Sequence, residues 1–182
     1  MNKKTKLLLE GAEAFGRKAH AGQTRKYSGG DYFEEHCLPV STLVWEYTER
    51  ADITAAAMLH DVIEDTDVGY LEISVYFGLP IANMVWGMTQ VSKPEDGNRK
   101  KRKAKDRDFL AMQSGDVQTI KCADLLCNTW DIVQQDPEFA KVYMVEAEQL
   151  VHVLTKAEHA LWSQLYNQVT DYFCNKKLED SE

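Results

Sequence analysis

The chain reads as an all-α protein, a single compact bundle of irregularly packed helices. Three observations predict this. Sustained period-2 alternation bounded by turn dipeptides is missing along the 182 residues. Apolar residues recur instead at helical spacing, as at Leu8, Ala12, Phe15 and Ala19. Residues that cap or stop helices punctuate these stretches at helix-length intervals. A chain that is 44% apolar and 27% charged can also bury a substantial core at this length.

Taken in order, residues 5–20 predict a first helix. A loop from Ala21 to Glu35 follows, marked by Gly22, Gly29 and Gly30. Residues 37–48 predict a second helix. Asp52 suits the N-cap of a third, expected to run to about Asp65. Tyr70–Phe77 reads as a short helix stopped by Gly78, and Pro80 suits the first turn of the next, 81–89. A polar loop, residues 92–98, leads into a basic helix from about Arg99 to Met112. Asp116 is placed to cap a helix reaching about Gln134, and two more are expected over 137–155 and 157–175. The polar tail from Asn175 to Glu182 is expected to fray. With no internal repeat, low-complexity tract or linker, one domain is expected over 1–175, with a tail at 176–182.

Composition excludes several function classes. No run of roughly 18 apolar residues exists, so no transmembrane helix or membrane partner is expected. The leucines at 7–9 are followed by Glu10 and Glu13, too short a run for a secretory signal. The four cysteines, Cys37, Cys122, Cys127 and Cys174, form no C-x-x-C pair and fit reduced thiols in a cytoplasmic protein. A net charge of −8 argues against a nucleic-acid partner. Residues 99–107 nevertheless carry seven basic groups and one acid. Such a segment is either a solvated helix face or a site for a local anion such as a phosphate.

The segment richest in chemistry is His60-Asp61-Val62-Ile63-Glu64-Asp65-Thr66. On a continuous helix His60, Asp61, Glu64 and Asp65 stand three or four residues apart and project toward one region. The preceding small, apolar stretch, Ile53–Leu59, reads as a helix entering the core. Four polar groups at the end of such a helix are costly to bury without a partner, and a divalent cation is the simplest one. Two other segments offer related groups. One runs from His20 through Arg25 and Lys26 to His36. In the other, Asp124 and Asn128 lie four apart on a helix whose Ile120, Ala123, Leu126 and Cys127 are mostly apolar. An aspartate in that company is capped, ion-paired or metal-bound.

Together these residues form an ordered set: AHxGQxRK, then His36, then HDxxEDT, then KxADxxxN. The set resembles the HD-domain phosphohydrolases of the RelA/SpoT type, and more closely the small stand-alone (p)ppGpp hydrolases, over roughly residues 10–150. The resemblance implies the all-α HD-domain fold. It implies four metal ligands, His36, His60, Asp61 and Asp124, holding Mn²⁺, although other divalent cations suit the same donors. It implies Glu64 and Asp65 as a catalytic acidic pair that orients and deprotonates a metal-bound water. Arg25 and Lys26 match positions that hold the nucleotide, and Asn128 one near its sugar and base. Lys93, Arg99, Arg102 and Lys103 are candidates to screen a pyrophosphate, and Tyr143 to line the nucleotide pocket. His20 reads as a structural histidine bonding across its loop, and His152 and His159 as surface or packing residues.

The implied activity is metal-dependent hydrolysis of the 3′-pyrophosphate of guanosine tetra- or pentaphosphate, giving GDP or GTP and pyrophosphate. The remaining length leaves no room for a synthetase or regulatory domain, so hydrolysis alone is expected. The alternatives are another nucleotide, either an adenosine analogue of the alarmone or the 2′-phosphate of NADPH, and a nucleotide-binding module without turnover. The sequence departs from the family pattern in three places, one of them the segment 91–99, which differs from that of the usual stand-alone hydrolases. The usual P-Y-x-x-H-P loop here reads Asp31-Tyr32-Phe33-Glu34-Glu35-His36-Cys37, which places Phe33 in the tyrosine slot. Leu125 stands where many relatives carry a basic residue after the aspartate of KxAD.

Overall fold

A computed structural model describes residues 2–179, which fall into two compact units divided between Gln90 and Val91. Among these residues the regular elements are helices, and strand pairing is confined to an isolated antiparallel bridge between Thr24 and Asp31. The all-α expectation holds.

In the first unit, Asn2 caps α1 (Lys3–Ala19) by accepting the Thr5 N–H at 2.9 Å. The buried stripe of α1 carries Ala12 and Gly16, small residues that admit close neighbours. Its Gly16 lies against the Phe33 ring and the Met58 carbonyl. The following loop turns at Gly22 and Gly29, both left-handed, with φ of 82° and 74°. It enters a single π turn, Phe33–Cys37, in which the Leu38 N–H reaches back five residues to the Phe33 carbonyl. α2 (Leu38–Thr48) continues directly, with Pro39 in its first turn. α3 (Ala51–Met58) is mostly apolar, and Ile53 to Met58 are buried without interruption. Its alanines let α1 and α2 pack against it. Asp52 is not its cap: Arg50 holds that position, and Asp52 lies in the first turn, paired with Arg50 at 2.7 Å.

The helix expected to continue to Asp65 stops at Leu59. The His60 ring takes the Ala57 carbonyl through Nδ1 at 2.8 Å, displacing the backbone bond that would carry the helix on. Tight turns replace it, with the Leu59 N–H on Ala56 at 3.1 Å and the Val62 N–H on Leu59 at 3.0 Å. A single turn, α4 (Val62–Asp65), follows and is closed by the Thr66 hydroxyl on the Val62 carbonyl. α5 (Tyr70–Phe77) ends at Gly78, left-handed at φ 84°, and α6 (Leu79–Met88) begins with Pro80 in its first turn. Both bear out the sequence reading.

In the second unit, the N–H groups of Val91 and Ser92 bond the buried Asp106 at 3.0 and 2.8 Å. Asp106 belongs to α7 (Arg99–Met112), the basic helix, whose bounds match the sequence reading and whose cap is Asn98. α8 (Gly115–Gln135) is capped by Ser114 rather than Asp116. Asp116 instead sits in the first turn, where its charge suits the positive end of the helix. α9 (Pro137–Val151) is capped by Asp136. Its link to α10 (His159–Glu179) is longer than the spacing suggests, because two buried side chains hold that link as a turn. Gln118 accepts the Lys156 N–H at 2.8 Å and donates to the Leu110 carbonyl at 3.0 Å, and Thr119 accepts the Glu158 N–H at 2.8 Å. The backbone expected to fray from Asn175 is helical through Glu179, and the last residues of the expected tail, 180–182, lie outside those described.

Gly16 supports a test of this packing. A β-carbon there would overlap the Phe33 ring and stand 3.1 Å from the Met58 carbonyl. In an open helix Gly→Ala stabilises by about 0.5–1 kcal/mol. Overpacking of roughly 1–3 kcal/mol outweighs that here. Urea titration of Gly16→Ala is expected to show a lower midpoint, and a raised midpoint would refute the close approach.

Candidate active site

Two elements of the first unit carry polar groups to one place: the π turn carries His36, with Tyr32 just before it, and the turn after α3 carries His60 and Asp61. The Nε2 atoms of His36 and His60 stand 3.4 and 3.0 Å from Asp61 Oδ2. Both histidines are 1% exposed, so the group is closed off from bulk water on the imidazole side. Burial pushes the Asp61 carboxyl up, but the charge of His60 and the hydrogen bonds of His36 and His60 prevail and hold it well below the usual carboxylate range. The Cys37 thiol is also close, since Cys37, His60 and Asp61 each offer an atom within 4.8 Å of the others.

The donor set fits a divalent metal. A carbonyl can only accept, so the His60 Nδ1 at Ala57 carries a hydrogen. In a neutral ring that turns the Nε2 lone pair toward the Asp61 oxygen. Two lone pairs 3.0 Å apart repel unless a proton or a metal ion lies between them. Imidazole nitrogens with a carboxylate suit Mn²⁺, Fe²⁺ or Zn²⁺.

Tyr32 was not singled out from the sequence, which placed Phe33 in its role. Its hydroxyl donates to Asp61 Oδ2 at 2.6 Å and lies 3.5 Å from Asp65 Oδ2. Phe33 is instead buried at 1% exposure, under the Arg17 guanidinium. Burial first, and then the Asp61 charge, raise the Tyr32 hydroxyl far above the ordinary range, so it stays a donor. The same burial and charge raise Asp65. His20 is fully buried and bonds across its loop as expected, with Nδ1 at 2.8 Å from Gln23 Oε1. The Gln23 amide in turn donates to the Asp65 carbonyl at 2.7 Å. Gln23 thereby ties the AHxGQxRK loop to the acidic segment, a role its place in that motif could have signalled.

Other expected residues go elsewhere. The break at Leu59 removes the continuous helix that would align Glu64 with His60. Glu64 accepts from the side-chain amide of Gln90 and from its N–H, the latter at 3.2 Å. Gln90 carried no sequence signal. Arg25 lies with its guanidinium 5.8 Å from the Tyr32 ring centre, whereas Lys26 lies along Tyr27 at 4.6 Å.

In the second unit, Asp124 is 4% exposed on α8. Its carboxylate accepts from Lys121 and from Asn128, each at 2.6 Å. Arg99 is held by Glu146 at 2.7 and 2.8 Å, so that cation is already neutralised. Its guanidinium also lies over Phe139, whose ring is 5.8 Å from that of Tyr143. Tyr143 and Arg102 are half-buried, and Lys93 is exposed. Burial and then the charge of Lys121 lower the Lys103 pKa.

A family model described as an HD domain matches residues 12–154. The chain belongs to the HD-domain family. A probable chloroplastic GTP diphosphokinase of Oryza sativa subsp. japonica is 30% identical over 177 residues, 91% of this chain and 23% of that protein. The bifunctional (p)ppGpp synthase/hydrolase SpoT of Escherichia coli K12 is 34% identical over 113 residues, 62% of this chain and 16% of that protein. The chain thus spans less than a quarter of the length of these curated relatives. A solved structure of a metazoan orthologue of SpoT, described as hydrolysing ppGpp, superposes with a TM-score of 0.79 at 24% identity, covering 94% of this chain and 97% of that one. That likeness confirms the HD-domain fold. No helix among the described residues is long and apolar enough to cross a membrane.

The Lys103 shift has a direct test. Its folded pKa lies below the unfolded one, so protonation opposes folding and the penalty fades as pH rises through the folded pKa toward 10.5. Lys121→Gln removes the second cause and is expected to move the Lys103 pKa upward, though not fully, since burial remains. ¹³C NMR of methylated lysines reads this, and an unmoved Lys103 signal would refute the coupling.

Proposed function

We propose that this HD-domain chain is a metal-dependent hydrolase that removes the 3′-pyrophosphate of guanosine tetra- or pentaphosphate. The observation that carries the reading is the convergence of His36 and His60 on Asp61, with Asp65 beside it. The names of relatives support the substrate. Guanosine-3′,5′-bis(diphosphate) 3′-pyrophosphohydrolase is the name of proteins from Escherichia coli O157:H7 and from Vibrio cholerae that are 34% and 37% identical to this chain.

In this reading His36, His60, Asp61 and Asp124 hold the metal, with Mn²⁺ the ion of choice. When bound, the metal supplies an acidified water and polarises a phosphoryl oxygen. Asp65 accepts a proton from the attacking water, for which its raised pKa suits it. The water oxygen bonds to the phosphorus on the ribose 3′ oxygen, that P–O bond breaks, and pyrophosphate leaves as the 3′ oxygen takes a proton. Glu64 belongs to the same acidic pair but acts from its bond to Gln90, so its share is the smaller. Arg25 stacks on the purine, Lys26 meets a phosphate and Asn128 bonds the sugar or base. Lys103, Arg102 and Lys93 face the pyrophosphate, with Tyr143 lining the nucleotide pocket. The two units together form one HD domain, since the family match runs across both in sequence.

Anion-exchange analysis of products is expected to show GDP and pyrophosphate from guanosine tetraphosphate only when Mn²⁺ is added. Asp65→Asn is expected to lower kcat by about 10²-fold or more, as for loss of a general base. Glu64→Gln is expected to cost less, and the double variant to abolish turnover while still binding Mn²⁺. An unchanged rate in the double variant would sink the mechanism. Turnover of NADPH or an adenosine alarmone in place of guanosine tetraphosphate would reassign the substrate.

A further inference from the structure

We infer that Tyr32 is a positioning residue that aims the Asp61 carboxylate at the metal and carries the Arg25 guanidinium, joining the metal and nucleotide parts of the site. This rests on the metal-centre reading above.

Tyrosine stands four residues before His36, one further than in the P-Y-x-x-H-P pattern that the sequence resembles. A regular helix entering at Tyr32 would rotate that extra residue away from His36 by about 100°. The π turn at Phe33–Cys37 takes it up, because its bond from Leu38 to Phe33 spans one residue more than an α-helical bond. The ring of Tyr32 therefore stays beside that of His36, with centres 5.4 Å apart, and Phe33 turns into the core.

Tyr32 is half-buried and held at several points. Its N–H bonds the Gln23 carbonyl at 3.1 Å. Its ring stands 5.0 Å from that of His20 and 5.4 Å from that of His36. A hydroxyl so fixed can impose a direction on its acceptor. It donates to Asp61 Oδ2, the oxygen that both histidine Nε2 atoms face, and lies 3.5 Å from Asp65. A proton donor between two neighbouring carboxylates offsets their repulsion and fixes the rotation of the one that binds the ion. The Arg25 guanidinium lies 5.8 Å from the centre of the same ring, within cation–π range, which presents its plane to a purine.

The two contacts separate by substitution. Tyr32→Phe keeps the ring and removes the hydroxyl, whereas Tyr32→Leu removes both. Mn²⁺ binding to each protein is measured by electron paramagnetic resonance of the free ion, with no nucleotide present. GDP binding is then measured by calorimetry at saturating Mn²⁺, and circular dichroism melting checks the fold. Tyr32→Phe is expected to weaken Mn²⁺ about tenfold, as for loss of a group that orients a ligand, and to leave GDP affinity unchanged. Tyr32→Leu is expected to weaken both. A folded Tyr32→Phe protein that binds Mn²⁺ within twofold of wild type would overturn the metal role, and GDP affinity preserved in Tyr32→Leu would overturn the nucleotide role. The Mn²⁺ titration uses no substrate, so it reads Tyr32 even if guanosine tetraphosphate proves not to be hydrolysed.

Discussion

The first unit is organised around the Asp61 carboxylate. A charge placed among buried histidines is tolerable only when several donors or a cation face it. Here the donors come from separate stretches: Tyr32 and His36 from either end of the π turn, and His60 from the turn after α3. Each stretch has a local reason for its shape. The π turn absorbs one residue, the α3 turn yields its Ala57 carbonyl to a histidine ring, and Gly16 leaves room for Phe33 beneath the loop. The small side chains of α3 matter for the same reason. They bring neighbouring helices close enough for residues far apart in sequence to share one oxygen.

The acidic pair is divided by its backbone. α4 is a single turn, so Glu64 and Asp65 point in different directions from adjacent positions. Asp65 stays near Tyr32 and Asp61, where burial and a like charge raise its pKa. Glu64 reaches Gln90, the last residue of the first unit. Two carboxylates that read as equivalent in HDxxEDT thus have different surroundings.

The second unit tempers the basic segment. Seven positive charges in nine residues suggest a strong local field. Part of it is compensated within the unit, since Arg99 lies on Glu146 and Lys105 on Asp96. At Lys103, burial and then the Lys121 charge outweigh the pull of Glu146 and Asp106 and lower the pKa.

What the sequence determined alone was local or periodic. The all-α class, the bounds of α5 and α7 and the pairing of Pro80 with α6 follow from spacing and turn residues, and an ordered motif picked out the segment in which His60 meets Asp61. These depend on interactions within a few residues, which the order of amino acids encodes directly. Tertiary structure decided the rest. It ended α3 at Leu59, chose Ser114 over Asp116 as a cap, and stretched the link before α10 across Gln118 and Thr119. It turned Phe33 inward and Tyr32 toward Asp61, and it drew Glu64 to Gln90 across 26 residues of chain. Several of these outcomes turn on a hydrogen bond between groups distant in sequence, as with Gln118 and Lys156 or Glu64 and Gln90. Spacing along one helix says nothing of which distant partner will be near enough to win it.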